Sequence, residues 1–135
     1  MKTKLVLALA TLILVFTAAP LLCQSQDLSG TWVGETVIPN MLDKDLVTLV
    51  LKKEAGSYSG TVTDSMGMAN ESPLEEVKFE NDTLTAQFMI SNGSDYVRIW
   101  MTLKVTGEKL VGSWENPTGS STGPLELVRK PPSSS

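Results

Sequence analysis

The chain has 135 residues, with 11 basic and 15 acidic side chains, a net charge of −4, no histidine and a single cysteine, Cys23. That length supports one domain with one core. The acidic balance excludes a binder of the phosphate backbone of nucleic acid, which needs clustered positive charge. Without histidine, and with one cysteine, Ser-His-Asp and Cys-His nucleophile systems and His- or Cys-rich metal sites are excluded too.

Residues 1–26 read as a cleaved export signal. Lys2 and Lys4 charge its start, Leu5 to Phe16 run apolar except for Thr11, and Thr17, Ala18, Ala19 and Pro20 end the run with small residues. The run is shorter than the roughly 20 residues of a membrane-spanning helix. The expected location is therefore secreted or periplasmic. Cys23 is the candidate lipidation site of a lipoprotein, although bulky Leu22 stands where that processing takes a small residue. Membrane association rests on that anchor or on a retained signal. Removal of the two lysines leaves the remaining chain with a net charge of −6. Removal of Cys23 leaves no disulfide, so burial alone must hold the fold.

From residue 27 the pattern has period two. Val77 and Phe79 alternate with Glu76, Lys78 and Glu80; Leu84, Ala86, Phe88 and Ile90 alternate with Thr83, Thr85, Gln87 and Met89; Val97, Ile99, Met101, Leu103 and Val105 alternate with Tyr96, Arg98, Trp100, Thr102 and Lys104. Alternation of this kind marks strands with one buried and one wet face. Eight strands are predicted, near Thr31–Ile38, Asp45–Glu54, Ser57–Asp64, Leu74–Glu80, Thr83–Ile90, Tyr96–Thr106, Lys109–Glu115 and Pro124–Lys130. The expected fold is all-β, an eight-stranded antiparallel up-and-down meander barrel over 27–130, which leaves no exposed edge. A β-sandwich is the alternative. Residues 131–135, Pro-Pro-Ser-Ser-Ser, read as a disordered tail.

The links alternate. Pro39–Lys44, Ser65–Pro73, Ser91–Asp95 and Asn116–Gly123 are long, whereas Ala55–Gly56, Asn81–Asp82 and Gly107–Glu108 are tight. In a meander, alternate links share an end, so one end is closed by hairpins and the other is a mouth ringed by longer loops, where binding residues gather. Ile38, Met41, Met66, Met68, Ile90, Tyr96 and Trp114 fall at the mouth. Of these, Trp114, Met66, Met68, Ile38, Ile90 and Tyr96 are the candidate ligand-binding residues, since methionine adapts to irregular apolar shapes and aromatic rings give large contact area. A barrel of this size is either filled by its own side chains or holds one small ligand; the filled interior has the slight edge.

At the opposite end stand Trp32 and Arg129, brought to the same end by parity alone. The run Asp27-Leu28-Ser29-Gly30-Thr31-Trp32 resembles the first strand of the lipocalin and wider calycin families, whose G-x-W motif lies near the closed end under a basic residue of the last strand. Ser57-Tyr58-Ser59-Gly60-Thr61-Val62 and Leu110-Val111-Gly112-Ser113-Trp114 fit the rhythm of small lipocalin-like domains of exported bacterial proteins, a family without a settled function. The resemblance implies a calycin-type barrel with Gly30, Trp32 and Arg129 as its structural floor. A weaker echo of avidins fails where Val62 and Asp64 replace a tyrosine and a serine.

Little chemistry remains for catalysis. Asp43 and Asp45 read as solvated acids in a mouth loop, with too few oxygens for calcium, and Glu75 and Glu76 face opposite sides of a strand. Asp64 alone combines a strand position with inward parity near the rim. The expectation is a non-catalytic binding module without metal or cofactor. Its partner is a small apolar or amphipathic molecule at the mouth, or else a protein or cell surface met through the loops or the outward Tyr96 and Trp100.

Overall fold

The structure, a computed structural model, describes residues 27–118 and 121–131. The proposed signal, Cys23 and residues 132–135 of the tail lie outside the described residues. Nine strands follow in order: β1 (Gly30–Val37), β2 (Lys44–Glu54), β3 (Ser57–Asp64), β4 (Ser72–Pro73), β5 (Glu75–Glu80), β6 (Thr83–Ser91), β7 (Tyr96–Thr106), β8 (Lys109–Asn116) and β9 (Ser121–Arg129). They form one continuous antiparallel sheet in the order β4-β3-β2-β1-β9-β8-β7-β6-β5. Chain neighbours pair, and so do the first and last long strands, with Trp32 opposite Arg129 and Gly34 opposite Leu127. The result is an all-β up-and-down barrel, nearly closed and compatible with a calycin-like fold. The alternative, a sandwich, is ruled out, because among the described residues no second sheet separates from this ladder.

The tight turns follow from local chemistry. Ala55 and Gly56 have φ of 50° and 82°, and Asn81 and Asp82 have 52° and 59°. Two consecutive positive φ values make the type I′ geometry that matches the twist of paired strands. These turns join β2 to β3 and β5 to β6 at the same end. The seventh link is shorter than expected, since β9 begins at Ser121 and pairs it with Asn116.

The expected fourth strand, Leu74–Glu80, is β5, and the ninth strand is β4, a two-residue stretch of the expected Ser65–Pro73 link. Ser72 and Pro73 pair with β3, and Leu74 donates its N–H to Gly60 O. Glu76 then takes φ 50°, the register shifts between Glu75 and Lys78, and β5 pairs with β6 instead. A bulge of this kind bends a strand, and the bend carries residues 72–80 across the seam from one edge to the other. The expected absence of edges is therefore corrected: β3 and β5 diverge toward the hairpin end. There Tyr58 meets Phe79 edge-on, with ring centroids 5.8 Å apart, and fills the gap.

The core is graded along the barrel axis. At the hairpin end Leu28, Trp32, Leu51, Leu84, Leu103, Leu110 and Leu127 are fully buried. Toward the mouth the inward positions mix small groups, Val47, Val62 and Ala69, with large ones, Phe88, Ile99 and Met101. The base is filled by large side chains, and the volume left open lies above them.

Candidate functional site

The base of the barrel is sealed. Trp32 is buried and donates its indole N–H to Leu28 O at 2.9 Å. The Arg129 guanidinium lies 4.4 Å from the centre of the indole ring and also donates to Asp27 O and Ser29 O. A cation over an indole contributes about 0.5–2 kcal/mol. Gly30 sits at φ 131°, and a Cβ there would come within 3.0 Å of the guanidinium. Gly30, Trp32 and Arg129 thus meet in one floor. Leu28, fully buried with its N–H bonded to the Tyr58 hydroxyl at 2.9 Å, belongs to it as well. Leu28 precedes the periodic pattern, so no strand signal marks it.

The mouth opens into a cavity of about 170 Å³. The interior expected to be filled holds this space instead, which its lining side chains, Trp114, Phe88 and Met101 among them, leave open. Ile38, Met68, Ile90 and Trp114 line the cavity; Met66 and Tyr96 do not. Tyr96 begins β7 with its side chain outward and is 75% exposed, because Val97 takes the inward phase. Met66 lies in the link after Ser65, where the chain has left the strand. Deeper, Val47, Val62, Phe88, Ile99, Met101 and Leu125 complete an apolar wall. Trp100 lies outside the barrel, half exposed.

Trp114 is held from two sides. Its indole N–H donates to Thr36 Oγ1 at 2.8 Å, and the Thr36 hydroxyl donates in turn to Pro124 O. Beneath it lies Gly123, its partner in the β8–β9 ladder, where a Cβ would come within 2.6 Å of the indole. The absent side chain of Gly123 makes room for the ring, and buried Thr36 fixes its direction.

The other polar element of the wall is a pair of carboxyls. Asp45, placed by the sequence in a solvated loop, is on β2 and only 3% exposed. It is in phase with Val47, Leu49 and Leu51, so the strand turns it inward, while Asp43 stays exposed. Asp45 Oδ1 accepts from the Ser65 N–H at 3.1 Å and from Ser65 Oγ at 3.0 Å. Asp64, the last residue of β3, accepts from the N–H groups of Met68 at 2.8 Å and Ala69 at 3.1 Å and so folds the following link over the rim. The Asp45 carboxyl is near enough to that of Asp64 to act on its charge. Both line the cavity, and among the described residues no lysine or arginine does. Lys44 projects outward from β2 and pairs with Glu35 at 3.2 Å.

Burial pushes the Asp64 carboxyl above its ordinary value of 3.8; the Asp45 carboxylate adds to the rise, and the N–H groups of Ala69 and Met68 oppose it. Between the two values the folded chain therefore retains this proton more than the unfolded chain does. The stability gained is complete below pH 3.8 and is lost as pH rises from there through the raised folded value. Asp64→Asn keeps an oxygen for Met68 and Ala69 and removes the ionisation. It is expected to flatten this decline and to melt above the parent at pH 7, as thermal unfolding between pH 3 and 7 will show. An unchanged pH slope would mean that the carboxyl is solvated.

No protein-family model matches the chain, and no curated protein or solved structure is similar to it at a significant level.

Proposed function

We propose that this protein is an exported, non-catalytic binding module that takes a small apolar or amphipathic molecule through the long-loop end of its barrel. The single observation that carries this reading is the open apolar cavity over a sealed floor. Its size is close to that of an engineered cavity of about 150 Å³ that takes up benzene. A ligand would therefore enter as a ring or a short alkyl segment. Met41 and Leu42, exposed on the link between β1 and β2, would give an amphipathic molecule apolar contact beside the mouth. The export signal and the lipocalin-like resemblance belong to the same reading. The floor of Gly30, Trp32 and Arg129 supports the resemblance, and a secreted or periplasmic location follows from the signal.

Trp114 is the reporter. A titration with hexanol is expected to change tryptophan emission saturably in the parent and to leave Trp114→Ala unchanged, since Trp32 is sealed in the floor and Trp100 lies outside. No saturable change in the parent, or an equal change in Trp114→Ala, would defeat the assignment.

A further inference from the structure

The cavity has a polarity that its apolar wall does not explain. Asp45 and Asp64 come from adjacent strands and stand side by side at the rim. Asp45 is 3% exposed, and no basic side chain among the described residues lines the same space. Burying carboxyls next to each other is costly unless a counter-charge or shared proton relieves them. Here hydrogen bonds from Ser65, Met68 and Ala69 and the proton favoured on Asp64 give part of that relief, while among the described residues no basic side chain lines the cavity to balance the charge that remains. The nearest lysine along the chain, Lys44, is committed to Glu35 on the outer face.

We infer that the ligand of this cavity carries a protonated amine, whose ammonium group lies against the Asp45 and Asp64 carboxyls while its apolar part occupies the barrel. The inference rests on the proposed pocket and adds to it the chemical class of the ligand. An ammonium group offers three donors and a full charge to the two carboxyls that line the cavity, whereas an alcohol offers one donor and no charge. An anionic head group would meet like charge. The apolar part points toward Phe88, Ile99 and Met101, below the rim. The cavity volume suits a chain of about six carbons or one aromatic ring.

Three probes of equal length, n-hexylamine, n-hexanol and hexanoate, distinguish the two levels of the reading at pH 7, with the Trp114 indole N–H followed by NMR. Hexylamine is expected to bind at least tenfold more tightly than hexanol, and hexanoate more weakly than either. Asp64→Asn, which retains the oxygen that caps the link, should reduce the preference for the amine to threefold or less without altering hexanol affinity. Asp45→Asn should do the same, and Asp43→Asn, an exposed acid at the same mouth, should not. Hexanol binding as tightly as hexylamine would overturn the amine class and leave the pocket standing. An equal loss in Asp43→Asn would likewise overturn it in favour of general surface attraction. If none of the three probes shifts the Trp114 signal, the pocket itself fails.

Discussion

Trp32→Ala is expected to lower folding stability by about 3–5 kcal/mol, the range for deleting a large buried aromatic side chain. The indole is completely buried at the base and no other side chain can collapse into its place, because its neighbours Leu28, Leu51 and Leu127 are themselves fully buried. Its loss also leaves Leu28 O without the indole N–H and the Arg129 guanidinium without the ring beneath it. Arg129→Ala should cost less, about 1–2 kcal/mol, since it removes the stacking and two hydrogen bonds at an exposed edge but leaves the plug. Urea unfolding of the two variants checks the order. A floor in which Arg129→Ala cost as much as Trp32→Ala would be held by charge rather than by burial.

Gly34→Val is expected to cost about 3 kcal/mol or more. Gly34 faces inward on β1, where the strand pairs with β9, and a Cβ there would fall 1.9 Å from Glu126 O and 2.8 Å from the side chain of Leu127. The obstacle is mainly backbone, so no rotamer change relieves it. The ladder of β1 and β9 joins the first long strand to the last, and separating it would reopen the ring. Gly34→Ala should fall between the parent and Gly34→Val in the midpoint of urea unfolding. If Gly34→Val kept the parent's midpoint, the β1–β9 seam would have to yield without loss, against the close packing of this interior.

Much of the fold was legible along the chain. The alternation from Leu84 to Val105 carries its own burial pattern, and the pairs Ala55-Gly56 and Asn81-Asp82 mark hairpins through their turn preferences. Trp32 and Arg129 share an end by parity. The site was less legible. Asp43-Lys44-Asp45 reads as a polar turn, yet counting back by two from Leu51 through Leu49 and Val47 reaches Asp45, and that phase was the available signal. Tyr96 shows the converse: being aromatic and near a loop made it look like a rim residue, but its phase opposite Val97 points it outward. Thr36 gave no sign of its role, because its bond to Trp114 spans 78 residues.

The sequence by itself determined the all-β class, the places of the tight turns and which face of each long strand is buried, since these depend on residues within one or two strands. Tertiary structure alone decided the ninth strand, the incomplete seam and the cavity. The bend at Glu76 is set by pairing with β3 on one side and β6 on the other. An empty volume is what remains after side chains from opposite strands have failed to meet. The meeting of Asp45 with Asp64 belongs to the same class: the two are 19 positions apart, and only the register of β2 against β3 makes them neighbours.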